Sequence, residues 1–165
     1  IVSYARTPMG GFQGVLSGVK ATELGVARIL PASSDRSEVK LDAQRADKRV
    51  LHWRGIVVAA CEQCGRATVP EIAAPQALVQ AAGLREGRGF ILDPFAESSL
   101  ASLRGIELDA CTIAIGPEGG WSPRDREQLV AAGFEGLRLG PRVLRTETAG
   151  IAAISALQAL CGDLA

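Results

Sequence analysis

Histidine is almost missing from this chain: His52 is the only one among 165 residues, so no second imidazole is available to complete a metal site. Cysteine is scarce as well, with four residues at positions 61, 64, 111 and 161. Cys61-Glu62-Gln63-Cys64 has the spacing of half a zinc site or of a redox pair. No second Cys or His pair stands at a suitable distance, and His52 lies nine residues back on the same helical pattern. Free, reduced thiols and no bound metal are expected. An excess of either charge is missing too, since 18 Lys and Arg balance 18 Asp and Glu. Bulk electrostatics therefore gives no sign of a nucleic-acid partner, and any RNA affinity must come from a local patch. No apolar run approaches the roughly 18 residues needed to span a bilayer. The first residues also lack the charged-then-apolar order of a signal peptide, so no membrane and a cytoplasmic location are expected. With 47% apolar and 22% charged residues, the chain is sized for one globular domain with a core.

What is present is organised around the stretch from Ile113 to Ile154. Two glycine-bearing loops, Gly116-Pro117-Glu118-Gly119-Gly120 and Leu139-Gly140-Pro141-Arg142, each stand between a short apolar run and a helix start. Cys111 to Ile115 reads as a buried strand, and the glycines permit the tight exit it needs. Ser122 is the expected N-cap of the next helix, with Pro123 at its first position, Asp125 suiting the helix dipole and Gly133 ending it. Leu137 to Leu139 then reads as a strand, and Thr146-Glu147-Thr148 opens a last helix whose Ile151 to Leu160 leave almost no polar face. Such a helix must be buried on all sides, against its own core and a twin subunit.

Upstream, residues 16–26 read as an amphipathic helix and Arg28 to Pro31 as a buried strand. Ser33 to Leu41 is polar and turn-rich, with Arg36 and Lys40 flanking an exposed loop. Asp42 caps a long helix to about Cys64. Ala43, Ala46, Val50, Trp53, Val57, Ala60 and Cys64 make its core face, opposite Arg45, Lys48, Arg49 and Arg54. Those cations are either a phosphate-facing patch or, more commonly, a solvated face. After Val69-Pro70 come a short strand, a helix near Gln76 to Ala82, and a strand at Gly89 to Leu92 leading to the polar turn Asp93-Pro94. This alternation predicts a parallel α/β sheet with ligands outside the carboxyl ends of its strands.

IGPEGGW from Ile115, the capped helix, GF at Gly133-Phe134 and LGPRVLRTETA from Leu139 together resemble the bacterial 16S ribosomal RNA (uracil-N3)-methyltransferases of the SPOUT class. The likeness extends upstream through Lys20-Ala21-Thr22-Glu23-Leu24-Gly25-Val26, Arg54 to Arg66 and Val69-Pro70-Glu71. It covers roughly residues 19–161, far more than one glycine motif would. Residues 1–14, with Arg6-Thr7-Pro8 and Gly11-Phe12-Gln13-Gly14, instead resemble the opening of thiolases, the acetyl-CoA acetyltransferases. Residues 1–18 are thus expected to be an atypical, chimeric segment joined to a methyltransferase domain at 19–165. The small RNA-binding β-barrel with which the family usually begins is expected to be absent.

The resemblance implies a trefoil knot in which the last helix is threaded, a homodimer, S-adenosylmethionine as cofactor, and methyl transfer to uridine N3 of 16S ribosomal RNA in the small subunit. It implies a cofactor pocket from Leu92, Ile115, Gly116, Gly119, Gly120, Leu139, Gly140 and Leu144, with Pro94 and Glu118 at its rim. Uracil N3 must lose a proton before attack, and a fixed cation near the flanking carbonyl oxygens favours the anion. Arg145 is the candidate for that cation, with Glu147 or Glu118 as proton acceptor. Alternatively Arg145 pairs with Glu147 or a phosphate, and Thr146 caps the last helix. Arg138 and Arg142 join Arg145 in a local positive excess opposed only by Glu135, where RNA backbone is expected to run. Trp121 either stacks on an exposed base or plugs the core, the latter being the expected role. Glu62, Gln63 and Arg66 are either a support shell or substrate contacts. Competing readings of the whole chain are a catalytically silent dimeric knot domain that binds cofactor or a protein partner and, more distantly, thiol-dependent acetyl transfer.

Overall fold

The strands run Val2–Arg6 (β1), Val26–Ser33 (β2), Glu71–Ile72 (β3), Gln76–Ala77 (β4), Arg88–Leu92 (β5), Cys111–Ile115 (β6) and Phe134–Leu137 (β7). The helices are Ala43–Cys64 (α1), Leu78–Gly83 (α2), Pro123–Ala131 (α3) and Thr146–Cys161 (α4), with a short 3-10 turn at Leu100–Leu103. This computed structural model describes residues 2–6, 20–36 and 43–164, the side chains of 2–6 and 43–45 excepted. Of the helix expected over 16–26, residues 20–23 are helical and residues 7–19 lie outside the described residues, as does Asp42.

Six strands lie in the order β3-β2-β1-β6-β5-β7, β4 pairs with β2, and every pairing is parallel. The expected parallel α/β sheet is therefore present. The backbone of β1 lies at its centre, with Tyr4 opposite both Ile29 and Ile113.

Alternation along β5 and β6 explains their unbroken apolar runs. Phe90, Leu92, Ile113 and Ile115 pack on one face with Leu103, Leu137, Ala153, Ile154 and Leu157. Ile91 and Ala114 pack on the other with Leu30, Leu78, Ala81, Leu129 and Phe134. A sheet covered on both faces has no polar side to write into its strands. The one buried hydroxyl in β6, Thr112, is satisfied at both ends, accepting from the Glu86 amide at 3.0 Å and donating to its carbonyl at 2.9 Å.

Several local expectations shift. The last strand is Phe134–Leu137, earlier than Leu137 to Leu139, because Gly133 at φ +83 turns helix α3 straight into it. Beyond it Arg138 makes a single parallel bridge to Ser99. Gln76 and Ala77 are strand, and α2 begins only at Leu78. In α1, Val57 and Ala60 are buried as expected, but Cys64 is exposed and Cys61 is buried in its place. In α4 one face is fully buried through Ala153, Ile154 and Leu157, whereas Ile151, Ala152, Ala156 and Leu160 are only half-buried. The single chain thus covers one side of this helix, not all sides. No described helix is long and apolar enough to cross a membrane.

All four cysteines are free, and none lines the cavity described below. Burial pushes the Cys111 thiol up to about 11, so at neutral pH it stays protonated and inert. Brief treatment of the native protein with iodoacetamide is accordingly expected to label exposed Cys64 and spare buried Cys61 and Cys111. Peptide mass mapping reads the outcome, and early modification of Cys111 would contradict it.

Candidate functional site

The carboxyl ends of β5, β6 and β7 each run into a loop, and the three loops meet around a cavity of about 850 Å³. This is the place where an open parallel sheet binds its ligands, and the volume suits a drug- or nucleoside-sized molecule. Leu92, Ile115, Leu137 and Leu139 contribute apolar walls, with Leu92, Ile115 and Leu137 buried.

Each loop is held by local chemistry. After β6, the Gly120 amide donates to the Pro117 carbonyl at 2.8 Å, and Gly120 sits at φ +67, a turn that favours glycine. At Gly116 a Cβ would come within 3.1 Å of the Trp121 indole. Trp121 is 7% exposed and belongs to the core cluster, so the plug role stands. Its Nε1 is buried in the cavity wall with no hydrogen-bond partner among the described residues. Helix α3 then opens with a reciprocal cap: the Asp125 amide donates to Ser122 Oγ at 3.0 Å and the Ser122 amide donates to Asp125 Oδ2 at 3.1 Å.

After β5, Asp93 organises the loop. Its amide donates to the Leu137 carbonyl at 3.1 Å, its Oδ1 accepts from the Phe95 amide at 3.0 Å, and its Oδ2 accepts from Arg126 in an ion pair. The Arg126 hydrogen bond holds the Asp93 carboxyl below its ordinary value of 3.8, outweighing burial, which acts the other way. A depressed carboxylate contributes stability that is present above its unfolded pKa and lost as pH falls through its folded one. Asp93→Asn is therefore expected to flatten the acid limb of a stability-against-pH curve below about pH 4. An acid limb identical to the wild type in denaturant melts would show that the pair is dispensable.

After β7, the loop to α4 carries Arg142, Val143, Leu144 and Arg145 along the cavity edge. Arg145 occupies the N-cap position of α4 without a side-chain cap bond, and its carbonyl accepts from the Ala149 amide at 2.7 Å. Thr146 is the first helical residue rather than the cap, and it is buried. Among the described residues Arg145 and Glu147 form no ion pair, and both line the cavity.

Of the ten residues assigned to the cofactor pocket, Leu92, Pro94, Ile115, Gly116, Glu118, Gly119, Gly120, Leu139 and Leu144 line this one cavity. Gly140 does not, although its neighbour Leu139 does. Arg142 also lines it, whereas Arg138 lies outside, its Nε buried with no partner among the described residues. Glu135 pairs with Arg88, and among the described residues no ion pair is formed by Arg138, Arg142 or Arg145. Arg66 acts as support, donating from Nη1 to the carbonyls of Thr22 at 2.7 Å and Val26 at 2.9 Å, while Glu62 and Gln63 are exposed.

Arg36, Phe95 and the Asp93–Arg126 pair escaped sequence reasoning as site residues. Arg126 carried one weak signal, its position one helical turn after the Ser122 cap on a helix that begins beside a glycine loop.

Fold and cavity together define a parallel α/β protein with a ligand cleft made of backbone loops at the strand ends. The model of the RNA methyltransferase domain matches residues 18–158, and the chain belongs to that family. It is 37% identical over 147 residues to ribosomal RNA small subunit methyltransferase E of Buchnera aphidicola from Schizaphis graminum, covering 88% of this chain and 59% of the relative. The enzyme of the same name from Aquifex aeolicus is 36% identical over 138 residues, covering 84% of this chain and 59% of that one. The chain thus spans about three-fifths of the length of these curated relatives. Among solved structures, a methyltransferase from Legionella pneumophila with bound S-adenosylmethionine superposes with a TM-score of 0.92 at 37% identity, over 98% of this chain and 67% of that one. The small subunit methyltransferase E of Neisseria gonorrhoeae, bound to the same molecule, gives 0.91 at 37% identity, over 99% and 68%.

Proposed function

We propose that this chain is the catalytic domain of an S-adenosylmethionine-dependent methyltransferase that modifies N3 of a uridine in 16S ribosomal RNA. The observation that carries the reading is the convergence of three backbone loops on one cavity of about 850 Å³. The cavity's chemistry fits the cofactor: apolar walls for an adenosine, a glycine edge open to close approach at Gly120, and a buried indole N–H with no acceptor among the described residues. Leu92, Pro94, Ile115, Gly116, Glu118, Gly119, Gly120, Leu139, Gly140 and Leu144 hold the cofactor in this reading. When bound, it supplies an electrophilic methyl carbon on a sulfonium.

The protein's own task is to generate and orient the nucleophile. Arg145, without a carboxylate partner among the described residues, stabilises the negative charge that appears on the uracil oxygens when N3 loses its proton. Glu147, or Glu118 from the facing loop, accepts that proton. Arg142 and Arg138 take the RNA backbone. Residues 19–165, with β1 completing the centre of their sheet, make up the methyltransferase domain, acting on the small ribosomal subunit in the cytoplasm. The half-exposed apolar side chains of α4 favour a homodimer, and a knot at α4 accompanies the fold in this reading.

Isothermal titration with S-adenosylhomocysteine followed by methyl transfer to unmodified small subunits tests the proposal. Binding with transfer, and the methyl found on uridine N3 by nucleoside mass spectrometry, is the expected result. Binding without transfer would favour a catalytically silent cofactor-binding domain, and no binding would overturn the reading.

A further inference from the structure

The segment after β2 sends one residue, Arg36, into the wall of the cavity from the far half of the sheet. Its neighbour Asp35 is fastened to the start of α3 by contacts that the helix cap does not need. The Asp35 amide donates to Asp125 Oδ1 at 3.2 Å, and Ser122 Oγ donates to Asp35 Oδ2 at 2.7 Å. Arg124 adds a loose ion contact to Asp35 at 3.9 Å. The Ser122–Asp125 cap is already closed by its own two bonds, so this docking serves the β2 loop. Its consequence is a fixed backbone at Arg36, whose Nη1 donates to the Gly119 carbonyl at 2.5 Å.

That single bond uses one of the five donors of a guanidinium. Among the described residues no carboxylate pairs with Arg36, and the residue is exposed. An anchored cation with spare donors therefore sits on the β6 side of the cavity, while Arg142 and Arg145 line its β7 side. A salt bridge would have neutralised it, and a lysine-like solvated charge would not have been fastened through its neighbour. Guanidinium groups on both sides of a cleft mouth, none of them paired with a carboxylate among the described residues, suit an anion that enters between them.

Resting on the proposed function, we infer that Arg36 is a positioning residue for the RNA, contacting a backbone phosphate of the nucleotide that enters the cavity. The methionyl carboxylate of the cofactor offers the same anionic oxygen chemistry. The exposure of Arg36 on the outer side of the glycine loop favours the phosphate.

The test uses the full chain and its Arg36→Ala, Arg36→Lys and Asp35→Ala variants. Binding of a fluorescent uridine-containing fragment of small-subunit ribosomal RNA is followed by anisotropy over a range of salt, and S-adenosylhomocysteine binding by calorimetry. Arg36→Ala is expected to weaken RNA binding about tenfold and to reduce the salt slope by about one, with Arg36→Lys recovering part of both. Asp35→Ala is expected to give an intermediate loss, and S-adenosylhomocysteine affinity to stay within about threefold throughout. Unchanged RNA affinity and salt slope in Arg36→Ala would overturn the inference. So would a parallel loss of S-adenosylhomocysteine affinity, which would assign Arg36 to the cofactor or to propping Gly119. Methyl transfer by the wild type alongside either result would leave the broader function standing, whereas a wild type that binds neither ligand would end both.

Discussion

Arg145→Ala is expected to lower the single-turnover rate of methyl transfer about a hundredfold or more while leaving S-adenosylhomocysteine affinity within about threefold. The reason is the state of charge at the cavity edge. Arg145 lines the cavity, is exposed, and forms no ion pair with Glu147 or any other described carboxylate. A cation held free in this way contributes most when negative charge develops beside it, and least when the cleft holds only a neutral base. Loss confined to the transfer step therefore marks an interaction made as uracil becomes an anion. Because an anion is favoured by rising pH, the defect is expected to shrink in alkaline buffer, where N3 ionises without help. A variant whose transfer rate and cofactor affinity fall together would place Arg145 in cofactor binding instead. A variant with unimpaired transfer would leave the catalytic cation to be sought elsewhere.

The second large effect concerns folding. Gly87→Ala is expected to destabilise the chain by about 3 kcal/mol or more, enough to remove much of the stability of an ordinary domain. Gly87 lies at φ +61, and a Cβ there would stand 1.9 Å from the Ala110 carbonyl oxygen and 2.4 Å from its carbon. Those are backbone atoms with nowhere to go, since the same carbonyl accepts from the Arg88 amide at 3.2 Å where β5 begins beside β6. Gly120→Ala makes the control: its φ is +67, but a Cβ there meets nothing within 4 Å. That variant bears the left-handed backbone cost alone, roughly 1–2 kcal/mol. Urea melts of the two proteins measure the difference, and equal midpoints would show that the strand start relaxes around the added methyl.

Much of the cavity was legible from one sequence because its parts are written in adjacent residues. A glycine turn after an apolar run, a serine cap with proline and aspartate behind it, and a terminal glycine at positive φ depend on neighbours only a few positions apart. Those signals placed the β6 loop and α3 correctly, while nine of the ten residues that the family resemblance implied for a cofactor pocket line one cavity. The strand starting at Phe134 was misplaced for a related reason. The Leu137 to Leu139 run looks apolar on both sides of Arg138, but hydrogen bonding to β5 ends at Leu137. Thr146 was offered as a cap because threonine commonly fills that role, yet the backbone begins the helix one residue earlier and buries the hydroxyl-bearing side chain.

Local grammar thus specified the alternating elements, the two-sided burial of the central strands and the glycine loops, since each follows from backbone sterics and from where apolar residues recur. It left open which distant side chains would meet. Asp93 finds Arg126 across 33 positions and Arg36 finds Gly119 across 83, and nothing in either stretch announces the other. Strand order decided those meetings: with β5 and β6 adjacent and β2 one strand beyond β1, loops far apart in the chain share one rim. That Arg145 pairs with no described carboxylate has the same origin, because whether a nearby carboxylate reaches it depends on the path the chain takes into α4. Sequence spacing alone cannot express that path.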